Sequence, residues 1–288
     1  MTGSIQQRWA KAADVVGPVI APVLESVETQ LLGRRGVSFA IAAKRTNWQP
    51  EDATRVCWRC AGSIGPHESD GDGCASCRTI KLPWDRAIRM GRHEGILRDA
   101  VIDLKFRRWG KSGIQLGRAL GTELGERFSA ASINPSEALL VPVPMTHRRR
   151  IARGIDHTMV LVRGASQTSG VGIAPLLRAR HRTEQVGLSA TDRAKNMRGA
   201  FYTRGGDIRT GKVRAGLLTP KKNALDGKRA LIVLDDVRTT GSTLGEACRV
   251  LRRGLMDLSG GRGLEIWAAS IGVAGDERKG GVPGEVEF

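Results

Sequence analysis

The stretch that decides the fold is residues 231–243, which read LIVLDDVRTTGST. Its first four residues are apolar and two of them are β-branched, a short run typical of a strand buried on both faces of a parallel sheet. Asp235 and Asp236 follow at the carboxyl end of this predicted strand. Ligands of open α/β sheets bind at that edge, so two adjacent carboxylates there indicate a functional site.

The loop after the acid pair consists of Thr239, Thr240, Gly241, Ser242 and Thr243 and precedes the helical pattern LGEACRVLRR. A tight loop that opens a helix offers backbone N–H groups and the positive end of the helix dipole, and both favour phosphate. Each half alone also fits a solvated turn or a helix cap. Together they predict a sugar phosphate site, with sugar hydroxyls on the aspartates and phosphate on the loop. The chain contains neither a Walker A motif nor a G-x-G-x-x-G fingerprint.

Strand and helix patterns alternate in the rest of the chain. Strands are predicted at 139–144, 171–174, 230–234 and 264–271, with helices at 154–167 and 243–253. This alternation predicts an α/β fold with a parallel sheet and crossover helices. The pattern reads as helical over 84–128, as two amphipathic helices at 5–16 and 19–32, and as a loose basic linker at 44–52.

These patterns divide the chain into four predicted regions. They are an N-terminal helical extension at 1–54, a cysteine module at 55–82, the α/β domain at 83–275 and a disordered tail at 276–288. Within the α/β domain, 205–228 is rich in glycine and basic residues and reads as a mobile insertion.

The composition limits the classes of protein and partner. A net charge of +17 favours phosphate-rich partners, either nucleic acid or polyphosphate metabolites, although solvated basic faces would account for it equally well. No run approaches 18 consecutive apolar residues, and charged residues interrupt every apolar run before residue 30, so we expect neither membrane insertion nor a signal peptide. We therefore expect a cytoplasmic protein with reduced thiols.

Four closely spaced cysteines form a two-knuckle motif. Cys57 and Cys60 enclose one C-x-x-C, and Cys74 and Cys77 enclose the second after thirteen intervening residues. Two such turns can fold back on each other into a tetrahedral site of four sulfurs, which suits a structural Zn²⁺ with no open position for water. A redox pair and an iron–sulfur cluster are the alternatives.

A basic turn follows the predicted strand at 139–144. Arg148, Arg149, Arg150 and Arg153 stand there in front of Gly154. Guanidinium groups bind phosphate oxygens in pairs, so this turn can hold a pyrophosphate. A solvated basic turn is the alternative. Further on, residues 182–201 read as a basic flap around a short helix.

The 231–243 segment closely resembles the phosphoribosyl-pyrophosphate (PRPP) signature of the type I phosphoribosyltransferases, and in order the motifs resemble the ComF family of competence-associated phosphoribosyltransferase-like proteins. The matching residues are Cys57, Cys60, Cys74 and Cys77; Lys105 and Phe106; 141–144 with Arg149, Arg153 and Gly154; Gln185, Gly187, Leu188, Ser189, Arg193 and Asn196; 199–201; and 235–243. The resemblance spans about residues 57–272. The chain departs from the family pattern R-G-F-N-Q, because residues 153–157 read RGIDH.

The resemblance implies a type I phosphoribosyltransferase-like sheet and a PRPP ligand. Asp235 and Asp236 would hold the ribose, residues 239–243 the 5′-phosphate, and Arg149, Arg153 and Lys105 the pyrophosphate together with Mg²⁺. A phosphoribosyltransferase with an unidentified acceptor is the first hypothesis. The second is a DNA-uptake protein that associates with single-stranded DNA or the competence machinery, and the third is a scaffold that has kept only the fold. The oligomeric state stays open.

Overall fold

The computed structural model describes residues 37–106, 110–146, 151, 154–180, 197–203, 225–256 and 263–275. The helices are α1 Phe39–Arg45, α2 Gly95–Phe106, α3 Gly110–Ala130, α4 His157–Ser169 and α5 Ser242–Met256. The strands are β1 Ser69–Asp70, β2 Gly73–Cys74, β3 Arg86–Arg92, β4 Ala138–Pro142, β5 Gly172–Ile173, β6 Leu177–Ala179, β7 Phe201–Thr203, β8 Ala230–Arg238 and β9 Glu265–Val273. Two short 3₁₀ turns lie at Ala53–Arg55 and Pro135–Glu137.

The chain divides into two compact units, Met1–Ser38 and Phe39–Phe288, and all these elements lie in the second. The domain boundaries expected after residues 54, 82 and 275 stay predictions. The expected helices at 5–16 and 19–32, the 205–224 part of the expected insertion and the tail at 276–288 lie outside the described residues.

The main sheet has five parallel strands in the order β3-β9-β8-β4-β5. The predicted α/β fold with a parallel sheet is therefore confirmed. Strand β8 is buried from Ala230 to Leu234, as its apolar run predicts, but it continues beyond the predicted end to Arg238 because β9 pairs with it as far as Val273. Two short antiparallel ribbons, β1-β2 and β6-β7, stand apart from the main sheet.

The expectation of helix from residue 84 onward is wrong, because residues 86–92 form the edge strand β3. Arginines at positions 86, 89 and 92 hid the strand pattern. Arg89 lies at the centre of the strand and is fully buried, with Nη2 at 2.8 Å from Glu51 and 2.5 Å from Ser63 Oγ. A buried arginine with such partners is rare, and no local pattern signals it.

The expectation of a loose linker at 44–52 is also wrong. Helix α1 runs to Arg45, and the Trp48 ring then packs edge-on against Phe39 with 5.3 Å between ring centroids. The backbone N–H of Glu51 donates to the carbonyl of Met90 at 2.7 Å. The two aromatic anchors stand nine positions apart, which fits no helical period, so the sequence pattern did not reveal this packing.

Helices cover both faces of the main sheet. Helices α2, α3 and α4 contribute Leu104, Leu124 and Leu161 to a core on one face of the sheet. Strand β8 contributes every second residue from Ala230 to Leu234 to the same core. Helix α5 packs on the other face, where it shares a core with Leu231 and Val233. Strands β4 and β8 are neighbours, but the helices that follow them, α4 and α5, lie on opposite faces.

Helices α3 and α4 approach each other through glycines. A methyl group on Gly164 would lie 2.9 Å from the Cα atom of Gly117 and would overlap the backbone carbonyl of Ile114. We expect Gly164→Ala to lower the free energy of unfolding by about 1 to 3 kcal/mol, because the helix backbones must separate. Gly125→Ala in α3 is the matched control. Its methyl group meets nothing within 4 Å, so the substitution should raise the free energy of unfolding by about 0.5 to 1 kcal/mol. Urea unfolding of both variants measures the difference, and equal stability would contradict the close crossing.

Candidate functional site

The candidate ligand site lies at the carboxyl end of β8. The ladder between β4 and β8 ends at the pair Pro142 and Leu234, whereas β9 continues beside β8 to Arg238. Asp235 and Asp236 are therefore the first residues of β8 beyond the end of β4. The connections from β4 and β8 lead to opposite faces of the sheet, which opens a crevice at the carboxyl ends of these two strands.

Asp236 is the centre of a buried charge cluster. One carboxylate oxygen, Oδ1, lies 2.8 Å from Lys105 Nζ, and the other, Oδ2, lies 2.7 Å from His157 Nε2. Burial alone would raise the pKa of Asp236, but the His157 imidazole and the Lys105 ammonium outweigh it and lower the pKa to about 2. Asp236 is therefore an anion near neutral pH and holds two basic side chains in the crevice.

Two helices deliver these basic side chains. Lys105 stands in the last turn of α2, where a cation also complements the helix dipole. His157 is the first residue of α4, and the preceding Asp156 caps this helix by accepting a hydrogen bond from the Met159 backbone N–H at 3.1 Å. Lys105 thus contacts Asp236 directly, and its expected contact with a pyrophosphate stays a prediction; His157 was not singled out from the sequence. The sequence offered one signal for His157: it stands at the start of the helix that follows β4, one of the two strands that border the crevice.

The two aspartates have different surroundings. The contacts of Asp236 with Lys105 and His157 place it on the α2–α4 side of the sheet. Successive residues of a strand point to opposite faces, so the pleat directs Asp235 to the α5 side. Asp235 is half-buried and its Oδ1 accepts the backbone N–H of Asp236 at 2.9 Å. The carboxylate on the side of the hydroxyl-rich loop is consequently that of Asp235.

The loop at 239–241 leads directly into α5. Gly241 has a φ of +77°, a left-handed conformation that favours glycine, and its carbonyl accepts the Gly245 N–H at 2.7 Å. The hydroxyls of Thr240 and Ser242 lie 2.7 Å apart. Thr239 and Thr240 are exposed and the next three residues are half-buried. The first turn of this 15-residue helix supplies N–H groups that lack acceptors within the helix, as an anion site requires.

A second histidine adjoins this charge cluster. His93 follows β3, and its backbone N–H donates to the carbonyl of Val273 at 2.9 Å. Its Nδ1 is buried and has no hydrogen-bond partner among the described residues. Burial and the positive charge of Lys105 lower the pKa of His93, so the imidazole is neutral near pH 7. The sequence carried no signal for it, because it follows a strand that the pattern did not reveal.

The four cysteines of the two knuckles come together in one cluster. Their sulfur atoms all lie within 4.8 Å of one another, and the pairs Cys57–Cys77, Cys60–Cys74 and Cys74–Cys77 are 3.7 Å apart. A tetrahedral zinc ion with Zn–S bonds of about 2.3 Å has sulfur–sulfur edges of about 3.8 Å. The predicted cysteine site is thus assembled with the dimensions of a structural metal centre such as that of zinc.

The thiol chemistry also suits a cation. A hydrogen bond from Cys60 lowers the pKa of Cys57 to about 4, whereas burial raises the pKa of Cys77 to about 11. The thiols cannot all ionise together unless a cation compensates their charge, as a bound metal does. Gly73 is needed beside them, because it has a φ of +94° and a Cβ atom there would lie 2.8 Å from the Cys77 sulfur.

The other predicted site residues cannot be placed. Arg149 and Arg153 of the basic turn lie outside the described residues, as do Arg148, Arg150 and residues 182–196 of the flap. The end of the flap is described. There the Gly199 backbone N–H donates to the buried carboxylate of Glu246 at 2.7 Å, which fixes this segment to α5.

The fold and the two sites define a parallel α/β protein with an acid pair and a hydroxyl-rich loop at the carboxyl end of β8 and with a cluster of four cysteines that could hold a structural metal ion. No protein-family model matches the chain. It is 28% identical over 182 residues to Competence protein F of Haemophilus influenzae, covering 62% of this chain and 72% of that protein. It is 25% identical over 196 residues to DNA utilization protein YhgH of Escherichia coli K12, covering 67% of this chain and 75% of that protein. The YhgH protein of Salmonella typhi is 26% identical over the same length. The chain is thus homologous to these proteins, and the resemblance to the ComF family is confirmed.

Proposed function

We propose that the protein binds PRPP or a related ribose 5-phosphate ligand in the crevice between β4 and β8 and transfers the phosphoribosyl group to an acceptor. The observation that carries this proposal is the Asp236–Lys105 ion pair of 2.8 Å, which lies at the same carboxyl end of β8 from which the loop at 239–243 continues. The crevice thus combines a carboxylate, a cation and a helix N-terminus at one sheet edge, which are the groups that a sugar phosphate needs.

Each group has a proposed role. Asp235 would accept hydrogen bonds from the ribose hydroxyls, and the backbone N–H groups of 239–243 would bind the 5′-phosphate. Lys105 keeps a fifth of its side chain exposed, so its ammonium can face a pyrophosphate as well as Asp236. We propose that Arg149 and Arg153 complete the pyrophosphate site. Asp236 would then keep Lys105 in place rather than contact the sugar.

In the proposed transfer, the bond between the ribose C1 atom and the pyrophosphate oxygen breaks and its electron pair leaves with pyrophosphate. A lone pair of the acceptor forms the new bond to C1. Negative charge at Asp235 would stabilise the positive charge that develops on the sugar. The half-buried carboxylate of Asp235 also suits Mg²⁺, which would neutralise the pyrophosphate oxygens when bound.

Titration calorimetry of PRPP, with and without Mg²⁺, tests this function. We expect Asp235→Asn to weaken PRPP binding by about 1.5 to 3 kcal/mol, roughly 10- to 150-fold in Kd, the scale of a hydrogen bond to a charged group. Thermal stability should change little, because the side chain is half-buried and on the α5 side. Equal PRPP affinity in the variant and the wild type would show that the ribose lies elsewhere.

DNA binding is the second candidate function. It is supported by the net charge of +17 and by the relatives, two of which carry the name DNA utilization protein. Directly after β6, Arg180 lies 5.4 Å from the ring centre of Tyr202 in β7, so a cation and an aromatic ring, the two kinds of group that bind single-stranded DNA, stand side by side. Titration with single-stranded DNA at several salt concentrations separates this candidate from the first.

The proposed compartment is the cytoplasm, because five free cysteines suit a reducing environment. No helix among the described residues is long and apolar enough to cross a membrane.

A further inference from the structure

The ligand loop is in contact with the cysteine module. Arg238, the last residue of β8, immediately precedes the loop, and its Nη2 donates to the carbonyl oxygen of Ala61 at 3.2 Å. Ala61 directly follows the cysteine Cys60. This hydrogen bond joins residues that are 177 positions apart in the chain.

The carbonyl of Ala61 is oriented by the first knuckle. Ala61 is 2% exposed and has a φ of +54°, an uncommon left-handed conformation for a residue with a side chain. Its N–H donates to the Cys57 carbonyl at 2.8 Å, and the next N–H, that of Gly62, donates to the Cys60 sulfur at 3.3 Å. The direction of the Ala61 carbonyl therefore depends on a turn that two metal ligands hold closed.

Trp84 provides a second connection between the same two parts. Its indole Nε1 donates to the carbonyl of Arg59, inside the first knuckle, at 3.0 Å. Its ring lies against the loop, since a Cβ atom on Gly241 would be 3.5 Å from ring atom Cη2. Trp84 is 6% exposed, so the knuckle, the indole and the loop form one continuous packed unit.

We propose that Arg238 is a positioning residue that couples the cysteine cluster to the ligand loop, so that a metal bound by the cysteines organises the loop for phosphate. An arginine suits this role because its planar guanidinium donates in fixed directions, which a lysine ammonium does not. The coupling is reciprocal: a bound metal must strengthen phosphate binding at the loop by the same factor by which bound phosphate strengthens metal binding at the knuckle. This inference concerns the loop of the proposed PRPP site and rests on that proposal for its ligand.

The test compares the full-length wild type with Arg238→Gln and Trp84→Phe. The first readout needs no ligand: the rate at which zinc passes to a chromogenic chelator. We expect both variants to release zinc about tenfold faster than the wild type, because loss of an outer-shell partner typically weakens metal binding about 10- to 100-fold. Arg229→Gln is the matched control, because Arg229 precedes the other end of β8, and its Nη1 donates to the Ser132 carbonyl at 2.5 Å, far along the chain from the cysteines.

The second readout is PRPP affinity with the metal bound and removed. In the wild type, metal removal should weaken PRPP about tenfold, and in Arg238→Gln it should have little further effect. Unchanged zinc release in both variants, with circular dichroism showing that they are folded, would overturn the coupling. If the wild type does not bind PRPP at all, the proposed function fails, and zinc release still decides whether Arg238 stabilises the knuckle.

Discussion

Asp236→Asn should lower the free energy of unfolding by about 3 to 5 kcal/mol, the usual cost of leaving buried charges without their partner. The substitution leaves Lys105 and His157 beside a neutral amide, although their side chains are only 20% and 8% exposed. PRPP binding should be lost as well, because the ammonium is no longer held in the crevice. Urea unfolding and calorimetry measure the two effects.

Asp235→Asn is the control for this prediction. It makes the same chemical change one residue earlier, at a half-buried carboxylate on the other side of the sheet. We expect it to weaken ligand binding while it leaves the stability nearly unchanged. A stable Asp236→Asn protein would contradict the role of Asp236 as the anchor of both basic side chains.

The charge cluster around Asp236 also determines the direction in which the free energy of unfolding changes with pH. The pKa of Asp236 is lowered from 3.8 to about 2, so the folded state binds this proton less readily than the unfolded chain. The contribution, about 2 kcal/mol, is fully present above about pH 5 and is lost as the pH falls through about 2. In Asp236→Asn this part of the acid dependence should disappear.

Cys74→Ser should remove the metal. We expect the wild type to carry about one zinc ion per chain, and the variant to bind it at least a hundredfold more weakly, because a direct ligand matters more than the outer-shell partners whose loss costs 10- to 100-fold. The cysteine module should loosen, while the parallel sheet still unfolds cooperatively at a lower temperature. The sheet is affected because Val56 and Ala61 of the module share a core with its strands and with Trp84.

Cys248→Ser is the matched control for the metal experiment. Cys248 is fully buried in α5 and is not one of the clustered cysteines, so its replacement perturbs the core without removing a ligand. Metal analysis after dialysis should find zinc in this variant and none in Cys74→Ser. A wild-type protein that folds fully without metal would refute the structural role of the cluster.

Local sequence patterns determined a large part of this architecture. The apolar run at 231–234 is a buried strand because each of its side chains meets a helix-covered face of the sheet. Each C-x-x-C turn brings its own two sulfurs together, and the thirteen residues between the turns let the two knuckles fold back into one cluster. Such features depend on neighbours in the chain, so their pattern is legible in one sequence.

Other features were decided only by the tertiary structure. Strand β3 carries the fully buried Arg89, whose partners Glu51 and Ser63 come from outside the strand. Three contacts join residues that are 79 or more positions apart and share no sequence period. They are those of Asp236 with Lys105 and with His157, and that of Arg238 with Ala61. The two adjacent aspartates also look equivalent in the sequence, yet the pleat of β8 directs them to opposite sides of the sheet. A sequence specifies which side chains can bind a ligand, but the packing of the helices and the register of the strands decide which of them meet, because these contacts form between distant segments.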